Sequence, residues 1–129
     1  MAKIELQHVS FSYPGTEAKA IDDLSLKVHE GELVCVVGCS GCGKTTLLRL
    51  LAGLSTPTRG VIRINGQPVK GPGRDRTVVF QEYTLFPWMT ALRNIQFGIE
   101  QTGRWGKLQA KQRARAFLKR VGLETAASQ

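Results

Sequence analysis

The sequence predicts an α/β fold, and three features carry that prediction. Leu33-Val34-Cys35-Val36-Val37 is a short unbroken apolar run, the pattern of a strand buried on both faces of a parallel sheet. A glycine-rich stretch, residues 38–43, follows without a gap. Then KTTLLRLLAG sets Leu47, Leu48, Leu50, Leu51 and Leu54 at helical spacing, with Gly53 where a helix C′ glycine belongs.

The other elements fit around this unit. Residues 4–13 read as a strand. Ile4 and Leu6 alternate, then Val9, Phe11 and Tyr13 alternate on a shifted phase, which predicts a bulge near Gln7 and His8. Pro14-Gly15 marks a turn. Ile21, Leu24, Leu26 and Val28 predict a second strand, ended by Glu30-Gly31. Beyond the leucine helix, residues 56–60 are loop. Residues 61–64 and 67–69 make a small hairpin around Asn65-Gly66. Gly71-Pro72-Gly73 is a second loop, and residues 77–80 read as another short buried strand running into Gln81. Thr90 is placed to cap a helix from Ala91 to about Gly98. A longer helix, about 108–121, aligns Ala110, Ala114, Phe117, Leu118 and Val121. Gly122 ends it and Leu123 supplies the closing apolar contact.

A length of 129 residues suits one domain, and 42% hydrophobic with 22% charged residues is a globular composition. No apolar run approaches the ~18 residues of a membrane span. The opening MAKIELQHVS lacks the apolar core of a secretory signal, so the expected setting is cytosolic. The net charge of +8 is concentrated at one end: residues 101–129 hold seven basic residues against Glu124 as their one acid. The plain reading is a solvated helix face. The alternative is a surface for nucleic acid or anionic lipid.

Gly38-Cys39-Ser40-Gly41-Cys42-Gly43-Lys44-Thr45 fits G-x-x-x-x-G-K-[ST] at every fixed position. Glycines let the backbone wrap a phosphate and turn successive N–H groups inward. The helix that starts there aims its positive end at the same anion. Lys44 brings an ammonium to the β- and γ-phosphates, and Thr45 offers a hydroxyl to Mg²⁺. The three cysteines, Cys35, Cys39 and Cys42, also spell C-x₃-C-x₂-C, a ligand count for an iron–sulfur cluster with one open iron. Cys35 inside an apolar run and the glycines around Cys39 and Cys42 favour the phosphate loop. A Cys39–Cys42 redox pair is a further reading, as is Cys42 as a thiol beside bound phosphate.

GTPase markers, N-K-x-D and a D-x-x-G after the loop, are missing. GCSGCGKTTLLRLLAGL and VVFQEYTLFPWMTALRNIQFG, with Tyr13 ending a strand ahead of the loop, instead resemble the ATP-binding subunit of ABC transporters. The resemblance runs from residue 4 to about 125. GPGRDRTVVFQEYTLFPW is most similar to importers of nitrate, taurine and alkanesulfonates.

The resemblance implies a P-loop NTPase, RecA-like core with an antiparallel β-subdomain in residues 1–90, and the start of a helical subdomain in 91–129. It implies ATP and Mg²⁺ as cofactors. Tyr13 matches the aromatic residue that stacks on adenine. Gly38, Cys39, Ser40, Gly41, Cys42, Gly43, Lys44, Thr45 and Thr46 match the phosphate-binding set. Gln81 matches the glutamine that reaches Mg²⁺ beside Thr45 and the region of the attacking water. Residues 81–88, with Leu85, Phe86, Pro87 and Trp88, match the groove that receives a transmembrane permease subunit. Further implied partners are a second ATP-binding subunit, forming a dimer, and a solute-binding protein. Nucleic acid is not expected. The implied place is the cytoplasmic face of the membrane, bound peripherally, and the implied work is powering import of a small anion such as nitrate or a sulfonate.

The sequence also departs from that family. An apolar strand ending in Asp-Glu, an LSGGQ-like signature and a later switch histidine do not occur in it. Phe80 is followed by Gln81-Glu82, and His8 and His29 both precede the phosphate loop. The expectation is the N-terminal part of such a subunit, with the C-terminal half absent and hydrolysis not completed by this chain alone. Lys44 and Gln81 then contribute to a catalytic set that is not whole. The alternatives are a non-catalytic basic nucleic-acid-binding module and a decayed gene product.

Overall fold

The computed structural model describes residues 2–82 and 84–128. The chain divides into two compact units, Met1–Val78 and Val79–Gln129. The first holds β1 (Ala2–Ser12), β2 (Lys19–His29), α1 (Lys44–Ala52), β3 (Arg59–Ile64) and β4 (Gln67–Pro68). The second holds α2 (Ala91–Gln101), α3 (Lys107–Arg120) and a 3₁₀ turn at Glu124–Ala126.

The four strands form one antiparallel sheet in the order β2-β1-β3-β4. The expected bulge is present. Leu6 faces Leu26 and Val9 faces Leu24, so β1 spends one extra residue there, and His8 takes a φ of 48°. This slip keeps Leu6, Val9 and Phe11 on one buried face despite the change of phase in the sequence. A second slip, not anticipated, follows on β2. Val9 faces Leu24 and Phe11 faces Ile21, with Asp23 at φ 47°. The two bulged residues are tied together: His8 Nδ1 and Asp23 Oδ1 lie 2.8 Å apart.

The core of this unit is Leu6, Val9, Phe11 and Ile62 from the sheet against Leu47 and Leu50 from α1. The helix ends as its sequence dictates. Gly53 is left-handed at φ 75°, its N–H donates to Leu50 O at 3.0 Å, and the Leu54 N–H donates to Arg49 O at 2.9 Å. The leucine face is narrower than expected, since Leu48 and Leu54 are exposed. The hairpin from β3 to β4 turns at Asn65-Gly66, both with positive φ, as an Asn-Gly turn requires.

Two expected strands are not formed. Residues 33–37 take no part in the sheet, and Leu33 and Val37 are 99% and 86% exposed. Val34 and Val36 line an open pocket of about 540 Å³ together with Leu24 and Leu26 of β2. Residues 77–80 are likewise outside any ladder, with Val79 and Phe80 exposed. The physical reason is the same for both. A central strand exists only when its N–H and C=O groups meet neighbours on each side. Among the described residues neither segment has such a neighbour, so apolar character alone leaves it extended and unpaired.

In the second unit α2 and α3 pack on each other, with Ala110, Ala114 and Leu118 buried. Thr90 caps α2 as expected, its Oγ1 accepting from the Arg93 N–H at 3.2 Å, and the helix runs on to Gln101. At the end of α3 the Leu123 N–H donates to Leu118 O at 2.8 Å and the Gly122 N–H to Lys119 O at 3.1 Å. Phe117 and Val121, expected on the buried face, are exposed. Part of the basic excess has a local use, since the Arg113 guanidinium sits 3.5 Å over the Trp105 ring.

Candidate functional site

Residues 38–43 make the connection into α1, and they leave the start of that helix open. Its first intrahelical bond runs from the Leu47 N–H to Gly43 O at 2.8 Å. No side chain caps α1, and no acid lies in its first turn. The N–H groups of Lys44, Thr45 and Thr46 therefore lack helical acceptors at the positive pole of the helix. Gly43 cannot be replaced cheaply. It takes φ 97°, and a Cβ on it would sit 2.5 Å from the Ala20 carbonyl oxygen of β2.

Lys44 is folded back over the loop. Its Nζ donates to Gly38 O at 2.9 Å and to Cys39 O, and lies 3.6 Å from Cys42 Sγ. The loop thus closes around a cation of its own, using carbonyls as acceptors. An incoming phosphate would offer the same ammonium charged oxygens, which make stronger hydrogen bonds than amide carbonyls. The arrangement suits an anion: an uncapped helix start and a lysine ammonium lie on one short loop. Ser40 and Gly41 form the turn of the loop, and Thr45 is exposed at its exit.

Tyr13 is brought to the same place. The chain leaves β1 through a turn in which Thr16 N–H and Oγ1 both donate to Tyr13 O, at 3.1 and 2.9 Å. The ring packs edge-on to Phe11 at 5.0 Å, and its hydroxyl shares a 2.9 Å hydrogen bond with Thr46 Oγ1 in the first turn of α1. Tyr13 remains 43% exposed. An aromatic face is therefore fixed one side chain away from the phosphate loop.

Gln81 lies in the second unit, in an exposed bend. Tyr83 lies outside the described residues. Leu85 and Trp88 are exposed, while Phe86 packs on Trp88 and on Phe97 of α2, with centroids 5.4 and 5.1 Å apart. The residue that shapes this loop was not anticipated from the sequence. Asn94, on α2, accepts from the Phe86 N–H at 2.8 Å. It also donates to the carbonyls of Phe86, Met89 and Thr90. A carboxamide one turn into a helix, directly after an apolar loop, was the available signal. Among the described residues no group of three His, Cys, Asp or Glu side chains is placed to hold a metal ion. Mg²⁺ here would be held by the Thr45 hydroxyl together with phosphate oxygens and water.

The profile of the ABC transporter family matches residues 21–129. The taurine import ATP-binding protein of Chromobacterium violaceum is 50% identical over 103 residues, covering 80% of this chain and 40% of that protein. The nitrate import ATP-binding protein of a Synechocystis species is 55% identical over 84 residues, covering 65% of this chain and 32% of that protein. The chain thus spans less than half the length of these relatives. Among solved structures, a dimeric ATP-binding cassette in a post-hydrolysis state with ADP and Pi superposes with a TM-score of 0.81 at 29% identity. That match covers 97% of this chain and 60% of the cassette. The fold is that of a P-loop nucleotide-binding cassette, present in part.

Proposed function

The chain belongs to the ABC transporter family, and from that premise we propose that it is the ATP-binding part of an importer's ATPase. The observation that supports this most is the open start of α1 with Lys44 turned onto its own loop. In this reading the phosphates of ATP take the N–H groups of residues 40–46 and the Lys44 ammonium. Adenine stacks on Tyr13. Thr45 offers its hydroxyl to Mg²⁺, which shields the β- and γ-phosphate charge. Residues 1–90 act as the nucleotide-binding core and 91–129 as the start of the helical subdomain.

The solute is a small anion, nitrate or a sulfonate, as the named relatives and the GPGRDR stretch support. The exposed Leu85 and Trp88, held out by Asn94, form the docking surface for a permease subunit at the cytoplasmic face of the membrane. A second ATP-binding subunit pairs with this one, and a solute-binding protein delivers the cargo. Hydrolysis needs a group that positions water, which the sequence does not supply in its family form.

Titration with a fluorescent ATP analogue tests the reading. Lys44→Ala removes a charge-assisted contact worth about 1.5–3 kcal/mol, so affinity falls at least about tenfold. Equal affinity of the two forms would reject the site.

A further inference from the structure

The phosphate loop carries a second chemistry that nucleotide binding does not use. Cys39-Ser40-Gly41-Cys42 is a C-x-x-C sequence, and it lies immediately before the N-terminus of α1. The Cys42 N–H donates to Cys39 O at 3.4 Å, so these four residues form a closed turn. Such a turn brings its end Cα atoms within ~7 Å, and a disulfide bridges Cα atoms ~4.4–6.8 Å apart. Both thiols are free and exposed. The Cys42 sulfur is directed over Gly38, where an added Cβ would sit 2.5 Å from Sγ. Its neighbour is the Lys44 ammonium at 3.6 Å. A sulfur that carries negative charge during exchange thus has a cation and a helix N-terminus beside it.

We propose that Cys39 and Cys42 form a reversible dithiol–disulfide pair that closes the phosphate loop against nucleotide. This rests on the ATP-binding reading above. The oxidant is a low-molecular-weight disulfide. The Cys42 thiolate attacks one of its sulfurs, the small S–S bond breaks, and the departing thiolate takes up the proton that Cys42 lost. The Cys39 thiolate then attacks the Cys42 sulfur and expels the second small thiolate, which takes the Cys39 proton. Two protein thiols are oxidised by two electrons, and one small disulfide is reduced to two thiols. The bond joins the first and last residues of the turn that now encloses Lys44. In this form a phosphate must compete with the Gly38 and Cys39 carbonyls for the Lys44 ammonium. A cross-link across the turn holds the loop in its self-satisfied form.

The test equilibrates the full chain in graded mixtures of reduced and oxidised glutathione, then reads two signals. Mass spectrometry after acid quenching and alkylation reads the bond. Titration of a fluorescent ATP analogue reads the binding. The expected result is a species lighter by two hydrogens, mapped to Cys39 and Cys42, whose fraction tracks a loss of affinity of about tenfold or more. Dithiothreitol restores binding. Cys35→Ser retains the oxidised species and Cys39→Ser loses it. Absence of that species across the series, a bond mapped to Cys35, or a bonded chain that binds ATP as tightly as the reduced one overturns the proposal. A reduced chain that binds no ATP overturns the nucleotide reading and the gating with it, while the mass signal still decides whether the pair forms.

Discussion

β1 and residues 33–37 invert what composition alone would rank. β1 alternates polar and apolar residues and carries a bulge, yet it sits at the centre of the sheet with partners on both sides. Residues 33–37 are apolar throughout, yet they lie exposed and unpaired. The difference is partnership. β2 and β3 satisfy the backbone of β1 and lay Leu6, Val9 and Phe11 against α1. A run of five apolar residues without a neighbour gains neither ladder nor burial. Hydrophobicity makes a strand available, and pairing makes it a strand.

That contrast is open to direct attack by substitution. Leu50, fully buried in α1, should cost about 2–5 kcal/mol of unfolding free energy as Leu50→Ala. Val37→Ser should stay within about 0.5 kcal/mol, the usual range for an exposed site. Denaturant melts of the two variants measure both. Comparable losses would mean that residues 33–37 are packed after all.

A smaller effect sharpens the functional side of the same contrast. The well-paired strand delivers Tyr13 to the loop, and Tyr13→Ala should weaken ATP-analogue binding by roughly 1–3 kcal/mol, the worth of an aromatic–base stack. Tyr13→Trp should keep most of the affinity. A harmless alanine would make Tyr13 an ordinary strand-end aromatic.

The smallest effect lies in the helical unit. Gln96 Nε2 donates to Glu100 at 2.8 Å, and with Arg93 it holds the Glu100 carboxyl below its ordinary 4.5. A carboxyl lowered on folding adds stability above its ordinary value and loses it as pH falls through the lowered one. Acid should therefore loosen the α2 amides below pH 4.5, and Gln96→Ala should move that loosening to higher pH. Amide exchange across an acid series reads the shift, and an unmoved profile would remove Gln96 as its cause.

Much of the fold was legible because it is local. The phase shift after Leu6 announced the bulge at His8, Asn65-Gly66 the hairpin, Thr90 the start of α2, and Gly53 and Gly122 the two helix ends. The compensating slip at Asp23 was missed although it had a signal of the same kind, the odd three-residue step from Ile21 to Leu24. The failures at 33–37 and 77–80 have one origin, since a periodicity reading cannot see whether a partner exists. In the site, Lys44 and Tyr13 were readable from the loop motif and a resemblance. Their spatial link through Thr46 Oγ1 was not, nor was the brace at Asn94, whose acceptors and donors are all backbone groups of a neighbouring loop.

Backbone amide exchange with and without Mg-ATP tests the central claim most directly. Without nucleotide, β1 should exchange slowly and residues 33–37 fast. With Mg-ATP, the amides of residues 40–46 should slow, while the β3–β4 hairpin stays unchanged. Slow exchange at 33–37 without nucleotide, or no slowing at 40–46 at saturating Mg-ATP, would contradict the account.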